Sequence, residues 1–111
     1  MRSKLLESFP PRLLKQLKEI GINIKIARKK RKFTISDMAL RCKVSKDTIT
    51  RVEKGDPTVA FGIVAQVLSI LGLSKDLDLI ATPETDELGL LLAEQALPER
   101  IRRISNRIKR R

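Results

Sequence analysis

From Leu13 onward, apolar residues return at helical steps. Leu13, Leu17, Ile20, Ile24 and Ala27 follow one another at intervals of four or three residues and share one helix face. Pro10-Pro11 opens this stretch, since proline is tolerated in a first helical turn. Arg28-Lys29-Lys30-Arg31-Lys32 closes it with cations at the negative end of the helix dipole. Gly21 interrupts the stripe and lowers helix propensity by about 1 kcal/mol relative to alanine, so the pattern is compatible with one long helix or two short ones.

Shorter periods follow. Thr34 is placed to cap a helix, with Asp37 three residues on as the second half of a capping box, and Met38, Ala39 and Cys42 form its buried side. Ser45 caps the next helix, Ile49 and Val52 face inward, and Gly55 stops it. Asp56-Pro57-Thr58 reads as a turn with a new N-cap. Val59, Ile63, Val64, Val67, Leu68 and Leu71 then give the most hydrophobic helix, ending at Gly72. Ser74 opens a short segment around Leu77, Leu79 and Ile80, and Thr82-Pro83 breaks the chain again. LGLLLAEQAL (88–97) is apolar on more than one side and demands a partner surface. Pro98 can open a last helix aligning Leu97, Ile101, Ile104 and Ile108 among arginines and lysines. Strand-period alternation, internal repeats and low-complexity tracts are absent, so the expectation is all-α, with five or six short helices and with Phe33 and Phe61 in the core.

Charge sharpens this picture. The 111 residues carry a formal net charge of +11, which points to a polyanionic partner. Residues 1–54 hold 16 Lys/Arg against 5 Asp/Glu, residues 55–98 hold Lys75 against 7 acids, and residues 99–111 hold 7 Lys/Arg against Glu99. A basic face, an acidic middle and a basic tail suggest one surface for nucleic acid and another for a different partner. The single cysteine, Cys42, makes no internal disulfide and fits a reducing compartment and a small core position. No apolar run reaches the roughly 18 residues of a membrane span, and the N-terminal residues lack a signal-peptide apolar region. The expectation is a cytoplasmic, nucleoid-associated protein.

The chemistry of the residues argues against an enzyme. Histidine, tryptophan and tyrosine are absent, and neither a glycine-rich phosphate loop nor a nucleophile with a neighbouring base occurs. Without histidine, no metal site of ordinary composition is expected, and no cofactor is expected. The few aromatics also argue against an RNA-binding module built on base stacking.

TISDMALRCKVSKDTITRVEKG (34–55) has the spacing of a helix-turn-helix. Two helices crossing steeply need a small residue at the crossing and a tight turn. Ala39 supplies the first, and Val44, Ile49 and Val52 supply the apolar contacts that lock the angle. Ser45 frees the second helix to point its first residues outward.

FTISDMALRCKVSKDTITRVEKGDP resembles the Cro/C1-type (XRE) helix-turn-helix, whose usual run is close to LTQ-x-x-LA-x-x-x-GVS-x-x-x-[IL]-S-x-x-E-x-G. The likeness covers about residues 20–73. It implies a compact five-helix, lambda-repressor-like DNA-binding domain over 20–82. Residues 1–19 would form an N-terminal arm, and 83–111 a C-terminal helical and basic extension for dimer and partner contacts. The chain departs from the usual run twice: Ile35 replaces a phosphate-clamping glutamine, and Lys43 replaces the turn glycine, so it must turn left-handed at roughly 1 kcal/mol or reshape the turn.

The resemblance places the second helix in the major groove with Lys46, Asp47, Thr50 and Arg51 at base edges. Lys46 and Arg51 can donate to guanine, Asp47 can accept from cytosine, and Thr50 can touch a thymine methyl; Asp47 equally suits the helix dipole. Arg28, Lys30, Arg31 and Lys43 would contact phosphates, and Thr34 and Thr48 serve as phosphate contacts or caps. The continuation, GDPTVAFGIVAQVLSILGL and then LGLLLAEQALPERIRR, resembles HipB-type antitoxins found beside HipA-type kinase toxins. It implies a homodimeric repressor on a palindromic operator of double-stranded DNA that also binds a HipA-like kinase toxin. The competing readings are a toxin-neutralising module with weak DNA binding and a stand-alone phage-type repressor. The cationic 98–111 tail is compatible with a docked helix, an arm on DNA or a segment that folds on a partner.

Overall fold

The computed structural model describes residues 6–96. They are all-α, with no strand among them. Among the described residues are five α-helices of at least eight residues: α1 (Pro11–Lys30), α2 (Ile35–Cys42), α3 (Lys46–Glu53), α4 (Phe61–Ile70) and α5 (Glu87–Gln95). Two 3-10 segments, Ser74–Leu79 and Pro83–Thr85, lie between α4 and α5. The proposed tail helix around Ile101, Ile104 and Ile108 falls outside the described residues. No described helix is long and apolar enough to cross a membrane.

The chain divides after Leu77 into two compact units, five residues earlier than the break expected at Thr82-Pro83. In the first unit α2 packs on both α3 and α4, while α1 packs on α3. The core they enclose consists of Ile24, Met38, Ala39, Cys42, Ile49, Val52, Val67 and Leu71. Burying each of the larger side chains contributes about 1.5–3 kcal/mol. The first unit therefore contains four of the helices, and the fifth belongs to the second unit.

α1 is a single helix straight through Gly21, despite the propensity penalty. The reason is tertiary. Gly21 is buried where α1 crosses the end of α3, and a Cβ there would collide with the Glu53 carbonyl and lie 2.8 Å from the Gly55 nitrogen. The reciprocal approach is just as close, since a Cβ on Gly55 would meet the backbone of Leu17 and come 2.6 Å from the Lys18 Cα. Only the C-terminal half of the α1 stripe reaches the core. Ile24 is buried, while Leu13 and Ile20 remain 39% and 45% exposed and line an apolar groove of about 290 Å³ with Leu17, Val64 and Phe61. Phe61 itself is 64% exposed, correcting its assignment to the core: α4 begins at Phe61 rather than near Val59, so the ring sits at the helix entrance.

Four helix ends share one closure. After α3 and α4, glycine takes the left-handed position, with Gly55 at φ 71° and Gly72 at φ 78°. After α1 and α2 the same position is held by Lys32 and Lys43, both at φ 57°. In each, the next residue's N–H reaches back to the carbonyl five positions earlier: Phe33 to Arg28, Val44 to Ala39, Asp56 to Arg51 and Leu73 to Leu68.

In the second unit, the Asp86 carboxylate caps α5 by accepting from the Gly89 N–H at 2.9 Å. Leu88, Leu90, Leu91 and Leu92 are all at least half exposed, and none of the described residues of this unit is buried.

Candidate nucleic-acid interface

α2 and α3 are the two limbs of the helix-turn-helix, and local chemistry sets both starts. The Thr34 hydroxyl accepts from the Asp37 N–H at 3.0 Å while the Asp37 carboxylate accepts from the Thr34 N–H at 2.8 Å, a complete capping box. The hydrogen bonds from Thr34 hold the Asp37 carboxyl below the usual carboxylate range. At α3 the Ser45 hydroxyl accepts from the Thr48 N–H at 3.1 Å and lies 2.9 Å from the Thr48 hydroxyl. Both threonine-serine ends are thus occupied as caps.

The turn between the limbs keeps its geometry with lysine in place of glycine. Lys43 sits at φ 57° and ψ 44°, so the left-handed conformation is adopted rather than the turn reshaped. Lys43→Gly is therefore expected to stabilise the fold by about 1 kcal/mol, less the larger unfolded-state entropy of glycine. Urea denaturation checks this; an unchanged or lower midpoint would mean that the lysine's cation at the C-terminus of α2, together with the unfolded-state entropy of glycine, matches or outweighs the strain.

α3 is held from below and open above. Ile49, Val52 and Glu53 are buried, Ala39 on α2 is 6% exposed, and Val44 is half-buried against the same core. Lys46 and Asp47 are exposed at the N-terminal end of α3, Thr50 and Thr48 are half-buried, and Arg51 follows one turn after Asp47. Lys30, Arg31 and Lys43 are exposed, and the Arg31 guanidinium also donates to the Ala27 carbonyl at 2.8 Å. The Arg41 guanidinium lies 4.5 Å over the Phe33 ring, joining the start and end of α2 through a cation–π contact.

Arg28 departs from its expected role as a phosphate contact. It is 6% exposed, and its Nε and Nη2 donate to the two Glu53 carboxylate oxygens at 2.6 and 3.1 Å. Its Nη1 donates to the Phe33 carbonyl at 2.8 Å. The physical reason is phase. Arg28 lies one turn after Ile24 on the inward face of α1, so it leaves the cationic surface and joins α1 to α3 from inside.

Arg51 is also more engaged than the sequence indicates. Its Nε donates to Asp56 Oδ2 at 2.8 Å and its Nη2 to the Thr58 hydroxyl at 2.7 Å, with the two side chains of the ion pair 31% and 19% exposed. Asp56 in turn accepts at Oδ1 from the Thr58 N–H (2.8 Å) and hydroxyl (2.6 Å). These bonds, led by that of the Thr58 hydroxyl, push the Asp56 carboxyl far below its usual range. Thr58 therefore does not cap α4, which has no side-chain cap. Sequence reasoning missed Asp56 and Thr58 as partners of Arg51, although Asp-Pro-Thr carried the signal of an Asx turn.

A search of curated proteins returns no match. A family model described as a helix-turn-helix domain matches residues 19–79, more than half the chain and the whole of α2, α3 and α4. With two capped limbs, a left-handed turn and an outward-facing second helix inside the matched span, the chain belongs to the helix-turn-helix domain family, of the XRE-like kind.

Proposed function

We propose that the protein is a sequence-specific DNA-binding transcriptional repressor in which α3 enters the major groove of its operator. The observation that carries this reading is the two-sidedness of α3. Ile49, Val52 and Glu53 anchor it to α1 and α2, while Lys46 and Asp47 stand exposed at its N-terminal end, the end such helices present to base edges. Lys46, Asp47, Thr50 and Arg51 read bases. Lys30, Arg31 and Lys43 bind phosphates; Thr34, beyond its work as a cap, and Thr48, the partner of the Ser45 cap, add their hydroxyls to the phosphate contacts. If about six to eight phosphates are neutralised across two half-sites, log K falls with log salt at a slope near −6.

One such domain reads a half-site, so the repressor acts as a homodimer on a palindromic operator with half-sites about 10 bp apart. The exposed leucines of α5 supply apolar surface that supports association, and so, in the first unit and separately, does the exposed Phe61. The test is a gel shift with a duplex selected by the full chain from a random pool, in excess non-specific competitor. A complex that survives supports the reading, and one that vanishes sinks sequence-specific repression. Lys46→Ala is expected to cost about 1–3 kcal/mol at one base pair. Equal loss on every duplex would instead make Lys46 a phosphate contact.

A second reading adds a protein partner. The leucines of α5 lie between Glu87 and Glu94, with no cation on that helix, which suits a basic, partly apolar surface. On this basis the protein is also the antitoxin of a HipA-like kinase toxin, repressing its own operon. Co-elution with a kinase encoded beside it, lost on changing the α5 leucines to serine, supports this role; absence of such a neighbour removes it.

A further inference from the structure

We propose that Asp56 and Thr58, outside the recognition helix, are positioning residues that fix Arg51 for guanine. This rests on the reading above that α3 lies in the major groove.

The Arg51 guanidinium is divided between two edges. Its side-on edge, Nε with Nη2, is occupied by Asp56 Oδ2 at 2.8 Å and the Thr58 hydroxyl at 2.7 Å. The Thr58 hydroxyl accepts from Arg51 because its own proton is donated to Asp56 Oδ1 at 2.6 Å. The carboxylate is itself tied to the backbone by the Thr58 N–H at 2.8 Å. Each member of this ring fixes the direction of the next, so the guanidinium plane is held by a backbone turn rather than by a freely rotating side chain.

Of the three remaining N–H groups, two form the end-on edge, one from each terminal nitrogen, lying parallel. That fork matches two acceptors side by side on one base edge, and in the major groove guanine O6 and N7 provide them. Adenine offers one acceptor beside a donor, so a fork that cannot rotate is penalised there. The carboxylate also opposes use of Arg51 on a phosphate. The pair is neutral as a unit, and swinging the guanidinium to the backbone would leave the Asp56 charge facing the polyanion without its cation, held by the Thr58 hydrogen bonds. A flexible arginine could do either; the tethered one is specialised for the base.

The full chain is titrated by fluorescence anisotropy onto a duplex it selects from a random library, and onto that duplex with each guanine replaced in turn. Arg51→Ala identifies the position at which Arg51 acts. Asp56→Asn and Thr58→Val are then each expected to lower the affinity ratio between guanine and its replacements at that position by roughly tenfold. Neither is expected to lower the ratio further when combined with Arg51→Ala. Asp56→Asn is also expected to steepen the salt dependence, as the released guanidinium finds phosphate. A uniform loss on all duplexes, or unchanged ratios in both variants, would overturn the proposal and leave Asp56 a brace of the α3–α4 loop. Thr58→Val keeps the backbone turn and serves if Asp56→Asn does not fold. If Arg51→Ala itself leaves every base preference intact, Arg51 as a base reader fails. If it erases one preference and the other two variants do not, only the positioning role fails.

Discussion

Glu53→Ala is expected to destabilise the folded chain by about 3–5 kcal/mol. The substitution removes the carboxylate that takes two guanidinium bonds at 2.6 and 3.1 Å and leaves Arg28, 6% exposed, with the Phe33 carbonyl as its remaining acceptor. A buried, uncompensated cation is far costlier than the pair is stabilising, because both charges have already lost their water. Small domains are stable by about 5–15 kcal/mol, so the variant would lose a large part of its total. Urea denaturation followed by circular dichroism measures it. The paired replacement Arg28→Met with Glu53→Leu is expected to recover most of the loss, since it removes both charges together. Arg51→Ala makes a useful contrast, because its half-exposed pair with Asp56 is worth about 1 kcal/mol or less. A loss from Glu53→Ala no greater than that would mean that Arg28 escapes to solvent.

This pair also shows where a single sequence stops being readable. Thr34, Asp37, Ser45 and Gly55 were legible because each acts on backbone groups within three residues, where residue type and spacing carry the geometry. The 34–55 spacing therefore yielded both limbs of the helix-turn-helix, its caps and its core. Arg28 and Glu53 are 25 residues apart and meet only because α1 crosses α3. Within Arg28-Lys29-Lys30-Arg31-Lys32 the five cations look alike, and composition assigns them one role. The distinction lay in phase, since Leu17, Gly21, Ile24 and Arg28 continue one stripe into the core.

The site divides along the same line. Lys46 and Asp47 are exposed where an outward-facing N-terminus requires, but the engagement of Arg51 with Asp56 and Thr58 depends on the chain folding back after Gly55. Phe61 was placed inside on hydrophobicity alone. The α3–α4 turn uses Thr58 as a partner of Arg51 and Asp56, α4 starts later in consequence, and the ring moves outward.

Gly21→Ala tests this division most directly, because local and tertiary physics give it opposite signs. Helix propensity alone makes alanine better by about 1 kcal/mol. The crossing makes it worse. The new methyl would overlap the Glu53 carbonyl and stand 2.8 Å from the Gly55 nitrogen, and these are backbone atoms with no rotamer to yield. α1 must move off α3, straining the Arg28–Glu53 contact as it does, and a net loss of about 2–4 kcal/mol is expected. Gly55→Ala should lose a similar or greater amount, since it adds a left-handed backbone at φ 71° to the overlap with the Leu17 backbone. Gly72→Ala supplies the control for conformation alone, with φ 78° and open space around its Cβ, and should cost about 1–2 kcal/mol. If Gly55→Ala costs no more than Gly72→Ala, the helices separate without penalty and the crossing does not fix α3. If Gly21→Ala stabilises, propensity governs α1. In the expected order, Gly72→Ala mildest and Gly55→Ala most damaging, the platform beneath α3 is set by two glycines that let α1 and the end of α3 approach at backbone distance.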